Sequence, residues 1–388
     1  MTNSNEEPVP HTSIVAAPQP VTPQAPDPLE RVLIQIGSWT DSVVLQGMRT
    51  IFVGPRNRRL KVLQRRIHHA HQVKRFYSQA PFLEDPDNFF HPPQAFPDVR
   101  YRYRKRTKGG TIWDFRFPSG FSPVFTEYRM KYNSYKENQT VHGRLWQHDT
   151  PGRPTVICIH GWGCGYPAFE ERVFNVPFLY RLGLNVLIYI LPFHGARTPA
   201  SAGMSGRFFL SPNLARTNES FAQSIFELRT LMRLLRERGS GPIGAIGVSL
   251  GGYTTALLAS VEPSLAFAIP IVPFASLADL LWEHGRYGTL ERLLEKSSFT
   301  REDMKATFAV HTPLALTPKL KRESLFIVAG KGDRICLPSH AQALWEHWNA
   351  PRIHWFPGGH LAQFKRGAFL TEIREFLETR GFIPAETS

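Results

Sequence analysis

Cysteine is scarce in this chain: Cys158, Cys164 and Cys336 are the only three in 388 residues. An odd, widely spaced set gives no disulfide framework and lacks the paired spacing of a structural zinc site. A reducing compartment, the cytoplasm, is the default expectation. Long apolar runs are missing too. The longest, Leu265 to Leu281, is interrupted by Pro270, Pro273 and Asp279, so it reads as a buried strand with its flanks and not as a membrane span. The first residues have no basic stretch leading into an apolar core, the pattern of a secretory signal. Residues 1–28 are instead rich in Pro, Gln, Thr and Asn, which predicts a disordered tail unable to bury enough apolar surface to order itself. No repeat of fixed period recurs.

What remains is ordinary for a globular protein. Hydrophobic residues make up 42% and charged residues 20%, enough for one large domain with an accessory segment. The net charge of +14 is unevenly placed: residues 55–108 hold fourteen basic against four acidic residues, leaving the rest of the chain close to neutral. Such a segment either docks to an anionic membrane surface, with a peripheral location as the corollary, or forms a solvated, partly structural face that packs on the catalytic domain. Nucleic acid is disfavoured, because no recognised binding motif accompanies the charge.

Residues 29–52 carry apolar positions Val32, Leu33, Ile36, Val43, Val44, Met48 and Ile51 at close to helical spacing, and the basic stretch continues as a helix to about Tyr77. Prolines between Pro81 and Pro97 then break regular structure. From Thr111 the pattern alternates, with Trp113, Phe115 and Phe117 on one face, and VFTEYRMKY and VHGRLW follow as strand-like runs. After that, apolar strands and helices take turns: PTVICI, LNVLIYI, PIGAIG, AFAIPIV, ESLFIVAG and RIHWF are strands. This order predicts an α/β chain with a mostly parallel central sheet and helices on both faces. The expected division is a tail over 1–28, a helical, basic N-terminal extension over 29–110, and a catalytic domain over 111–382 with a small helical cap near 275–322.

Ligands of such sheets bind beyond the carboxyl ends of the strands, and the chemistry-bearing residues all leave such ends. Gly247-Val248-Ser249-Leu250-Gly251 fits G-x-S-x-G, the sharp strand-to-helix turn that exposes a serine hydroxyl. The letters alone recur in roughly one chain in eight at average composition; the strand before and the helical YTTALLAS after give them weight. A serine hydroxyl needs a histidine to take its proton and a carboxylate to orient that histidine. Asp333 follows the strand SLFIVAG and His360 follows RIHWFPGG, in the chain order serine, acid, base. Asp279 is the reserve acid; His354, inside its strand, reads as structural. Oxyanion donors are expected from the backbone of Leu250 and, in the loop after ICIHG, of Trp162. Cys164 in that loop reads as a packing residue. No metal or cofactor set emerges, and His68, His69 and His71 read as part of a solvated face. In the cap, Leu277, Leu280, Leu281, Leu290, Leu293 and Leu294, with Trp282 and Phe308, either pack on the sheet or line an apolar acyl pocket.

HGWGCG, LPFHGART, GVSLGG, GKGD and PGGH in this order resemble the α/β-hydrolase superfamily over residues 111–382. GPIGAIGVSLGG with RIHWFPGGHLAQF is similar to the group of alpha/beta hydrolase domain-containing protein 18. The resemblance implies the nucleophile, acid, base and oxyanion roles for Ser249, Asp333, His360, Leu250 and Trp162. It implies no substrate, since the superfamily spans esterases, lipases, thioesterases, amidases and peptidases. Leu191-Pro192-Phe193-His194-Gly195 departs from the Asp-x-Arg-Gly-His-Gly type of loop, which leaves the pocket wall undefined. The expected function is hydrolysis of carboxylic esters; the alternative is a catalytically idle hydrolase fold that binds anionic membranes through its basic segment.

Overall fold

The computed structural model describes residues 25–53, 60–285 and 299–385. Nine strands form one sheet in the order β1-β2-β3-β5-β4-β6-β7-β8-β9. Three antiparallel strands lead: β1 (Arg100–Thr107), β2 (Gly110–Pro118) and β3 (Thr140–His148). The parallel part comprises β4 (Thr155–Ile159), β5 (Asn185–Tyr189), β6 (Ile243–Val248), β7 (Ala268–Ile271), β8 (Phe326–Gly330) and β9 (Arg352–Phe356).

Side-chain alternation along the central strands divides the core. Ile157 and Ile159 of β4, with Leu187 and Tyr189 of β5, pack into one apolar cluster; Val156, Cys158, Val186 and Ile188 pack into the other. Both faces are thus buried, which is why these strands read as unbroken apolar runs. Helices cover the two sides: α1 (Pro28–Val53), α2 (Leu60–Tyr77), α3 (Ala80–Glu84), α4 (Thr126–Asn133), α5 (Pro167–Val173), α6 (Val176–Arg181), α7 (Leu214–Glu237), α8 (Leu250–Val261), α9 (Leu277–Gly285), α10 (Arg301–Phe308), α11 (Pro338–His347) and α12 (Arg366–Thr379). Among the described residues no helix is long and apolar enough to cross a membrane. The Leu265–Leu281 run is β7 and the start of α9.

Two local expectations differ from the structure. The antiparallel edge begins at Arg100, not Thr111: β1, RYRYRKRT, pairs with β2 in a register from Arg100↔Arg116 to Thr107↔Gly110. Its exposed basic side chains hide the strand in the sequence, and at a sheet edge such charges oppose pairing with another chain. VFTEYRMKY contains helix α4: Tyr128 and Tyr132, four residues apart, are both buried, whereas Met130 between them is 87% exposed. A strand would have placed all three on one face. The helix predicted over 29–52 is α1; in it Val32, Ile36 and Val43 are exposed, Leu33, Ile34, Val44 and Leu45 are half-buried, and Gly37 and Asp41 are buried.

The basic N-terminal segment packs in part on the sheet domain. Val73 and Tyr77 of α2 are buried, the Tyr77 hydroxyl donates to Glu219 Oε1 at 2.6 Å, and Lys74 pairs with Asp303. Of the cap residues, Leu277, Leu280 and Phe308 are buried in the core; Leu290, Leu293 and Leu294 lie outside the described residues, as do residues 1–24 of the expected tail.

Candidate active site

The chain crosses from one side of β4 to the other between β5 and β6, so the carboxyl ends of β4 and β6 border a switch point of the sheet. Ser249 stands there, between β6 and α8, at φ 58° and ψ −114°. A non-glycine residue in that region is strained by about 1–3 kcal/mol, and the surroundings enforce it. The Ser249 N–H donates to Ile271 O at 2.9 Å, and its carbonyl accepts from Tyr253 N at 2.9 Å. A Cβ on Gly251 would lie 1.8 Å from Ile159 O. The helix therefore starts hard against the end of β4, and only glycine permits it. Ser249 itself is half-buried, and so reachable.

Asp333 and His360, 2% and 6% exposed, meet at this end of the sheet: His360 Nδ1 lies 2.7 Å from Asp333 Oδ2. The other carboxylate oxygen, Oδ1, accepts the N–H groups of Ile335 at 2.8 Å and Cys336 at 2.7 Å, which fixes the Asp333 rotamer. Burial acts to lower the His360 pKa, but the adjacent Asp333 carboxylate outweighs it and holds the imidazole well above its ordinary value. The Cys336 thiol, which the sequence did not single out, lies near enough to the His360 ring and the Ser249 hydroxyl to be influenced by both. Burial raises that thiol's pKa. Asp333 and His360 thus meet directly, and Cys336 neighbours both that pair and Ser249.

The rival residues lie elsewhere. Asp279, on α9, binds Arg301 at 2.5 Å, and its pKa is lowered because that guanidinium and its neighbours outweigh the opposing effect of burial. His354 Nδ1 lies 2.6 Å from Glu372 Oε1 on α12.

The loop after β4 packs directly on Ser249: a Cβ on Gly161 would lie 3.6 Å from Ser249 Cβ. His160 anchors the loop, with Nδ1 2.8 Å from Gly161 O while Nε2 accepts from Leu191 N at 3.1 Å. Burial pushes its pKa down to about 4, so it is a neutral bracket. Trp162 donates its indole N–H to Gly206 O at 2.8 Å, which fixes the ring. Glu170 Oε1 accepts from Gly165 N at 2.8 Å, and burial pushes that carboxyl's pKa up to about 7. Cys164 is pushed up to about 12 by burial and is no thiolate at neutral pH. Leu250 N–H belongs to the first turn of α8, where the helix offers no acceptor of its own and its dipole favours negative charge.

A third element reaches the site from the far end of the sequence. Asp41 of α1, fully buried, accepts from Arg334 N at 3.0 Å and His360 N at 2.6 Å through Oδ2, and from Leu361 N at 3.1 Å through Oδ1. Ser38 Oγ donates to Gly332 O at 2.8 Å, and Glu30 pairs with Lys331 at 3.1 Å and Lys365 at 3.7 Å. A Cβ on Gly37 would fall 2.1 Å from Gly359 N. Among the described residues no group of three or more His, Cys, Asp or Glu is disposed to hold a metal ion.

A nine-stranded, largely parallel sheet with a serine elbow after β6 and an Asp-His pair on later loops defines an α/β hydrolase. The model of the family "alpha/beta hydrolase domain containing 18" matches residues 73–283, and the chain belongs to that family. It is 32% identical over 371 residues to an uncharacterised protein of Mycobacterium tuberculosis, present in strains CDC 1551 and H37Rv, covering 93% of this chain and 87% of the relative. Two solved structures share the fold at a TM-score of 0.56. Acetyl xylan esterase 1 from Thermoanaerobacterium sp. JW/SL YS485 is 14% identical, and the acetyl xylan esterase from Paenibacillus sp. R4 is 15% identical; each comparison covers 76% of this chain and 92% of the other.

Proposed function

We propose that this protein is a serine hydrolase that cleaves carboxylic esters, with Ser249 as nucleophile, His360 as general base and acid, and Asp333 as the orienting carboxylate. The observation that carries the reading is the 2.7 Å contact between His360 Nδ1 and Asp333 Oδ2 beside a strained serine elbow. Attack by Ser249 Oγ on the ester carbonyl passes the hydroxyl proton to His360 Nε2, and Asp333 stabilises the imidazolium that forms. The developing oxyanion is held by the backbone N–H groups of Leu250 and Trp162. Collapse expels the alcohol, which takes the proton from His360, and leaves an acyl-Ser249 intermediate. Water, deprotonated by His360, then releases the acid. The fold shared with two acetyl xylan esterases is compatible with ester substrates.

A fluorophosphonate probe tests the reading, because only an activated serine reacts. The parent should label at Ser249, and folded Ser249→Ala should lose about 10⁴-fold or more in hydrolysis of a p-nitrophenyl ester. Retention of a tenth of the parental rate in Ser249→Ala would refute the assignment, and an unreactive parent would favour the idle binding protein.

We further propose that the protein docks to an anionic lipid surface through its basic N-terminal region. One observation favours it beyond the basic segment: Leu29, Val32, Ile36, Trp39 and Val43 of α1 are all at least 46% exposed and recur at steps of three and four residues. An exposed apolar stripe leading into a basic stretch is suited to lie in a membrane interface.

A further inference from the structure

We propose that Asp41 is a positioning residue for the acid and the base, which makes α1 part of the catalytic apparatus; the inference rests on the triad reading above. A carboxylate removed from water is unfavourable unless hydrogen bonds replace its hydration. Asp41 finds three donors, all backbone N–H groups: Arg334, directly after the acid Asp333; the base His360 itself; and Leu361 after it. Its Oδ2 is shared between the two loops, so one atom sets the spacing of the chain segments whose side chains must meet at 2.7 Å.

The rest of α1 is shaped for that grip. Gly37, one turn before Asp41, lets the helix touch Gly358 and Gly359, and a Cβ on Gly359 would fall 2.5 Å from Asp41 Oδ2. Ser38 holds the acid loop through Gly332 O. The fully buried positions of α1 are thus Gly37 and Asp41, a minimal and a hydrogen-bonding residue, while Val32, Ile36, Trp39 and Val43 are exposed. Displacement of a reacting group by about 1 Å can cost on the order of 100-fold in rate, which sets the effect expected when the grip is lost.

The test uses the full chain with Asp41→Ala and Asp41→Asn. Asparagine keeps one oxygen for Arg334 and His360 but turns its NH₂ toward the Leu361 N–H, so about tenfold should be lost, against about 100-fold for alanine. The loss should fall in kcat with KM within about twofold, and in the rate of fluorophosphonate labelling per folded molecule. The low-field NMR resonance of the His360 Nδ1 proton, identified by its absence in His360→Ala, should weaken or move upfield in both variants. If alanine prevents folding, the asparagine variant decides. A parent that labels while folded Asp41 variants label equally fast, with the resonance unchanged, overturns the positioning role and leaves the hydrolase reading intact. A parent that does not label defeats the hydrolase reading, and the resonance then decides alone whether Asp41 holds the Asp333–His360 pair.

Discussion

Replacing Asp333 with Asn separates orientation of the histidine from mere space filling. Asp333 Oδ1 accepts two backbone N–H groups, from Ile335 and Cys336, and Oδ2 faces His360 Nδ1. An Asn side chain has one oxygen to place. Setting it at the Oδ1 position keeps both backbone bonds, whereas the opposite choice points an NH₂ group at two N–H donors in a buried site and forfeits both bonds, at about 1–3 kcal/mol for each group left unsatisfied. The oxygen therefore stays on the backbone, and the NH₂ faces Nδ1. Nδ1 must then accept, so the proton of the neutral ring moves to Nε2, the atom that has to take the Ser249 proton.

The expected loss is about 10⁴-fold in kcat, or about 5.4 kcal/mol of transition-state stabilisation, with the fold retained. Steady-state hydrolysis of p-nitrophenyl acetate, with circular dichroism and a thermal melt as controls, reads it. Asp279→Asn is the internal comparison. Its carboxylate pairs with Arg301, which is 43% exposed, so the change should cost roughly 1 kcal/mol or less in stability and little activity. Folded Asp333→Asn within tenfold of the parent, or a larger loss in Asp279→Asn, would refute the reasoning.

Three further outcomes follow. The general base must be neutral, and His360 is held well above the ordinary imidazole value of 6.5; turnover should therefore fall as pH drops through a midpoint above 6.5, and a midpoint below it would contradict the Asp333–His360 pairing. Gly251→Ala drives a Cβ to 1.8 Å from Ile159 O, backbone that cannot step aside, so the urea-unfolding free energy should drop by about 3 kcal/mol or more, and a loss under about 0.5 kcal/mol would mean the elbow is looser than described. Vesicle co-sedimentation should rise with anionic lipid and weaken with salt, and a protein with Arg56, Arg58, Arg59, Arg65 and Arg66 changed to Gln should sediment less; equal sedimentation would rule out docking through that segment.

The parallel core was legible because its signals are local. Each buried strand is an apolar run, and Ser249, Asp333 and His360 each sit in a short loop directly after one, so chain order and strand polarity suffice to bring them to one end of the sheet. Where a residue's environment is made by distant partners, the same reading fails. Alternating Arg and Tyr hid β1, because an edge strand needs no apolar face. The apolar letters of VFTEYRMKY fit period two as well as a helix, and only the burial of Tyr128 and Tyr132 against Met130 decides. Cys336 escaped notice because a thiol beside the Asp333–His360 pair has no spacing rule.

The placement of α1 carries the larger consequence for the domain plan. An amphipathic pattern assigns its apolar stripe to the core, yet Val32, Ile36 and Val43 face out while Gly37 and Asp41 face in. Hydrophobic patterning counts area, and a helix that binds through hydrogen bonds to loop backbone has little area to count. The cue available in the sequence was a Gly, a Ser and an Asp on one helical face, at positions 37, 38 and 41. Polar and minimal side chains on a common face mark close backbone contact as readily as they mark solvent. Because their partners are residues 332, 334 and 358–361, a boundary drawn at residue 111 separates the acid and base loops from the helix that grips them. If Asp41 positions Asp333 and His360 as proposed, the functional unit takes in α1 as well as the sheet domain.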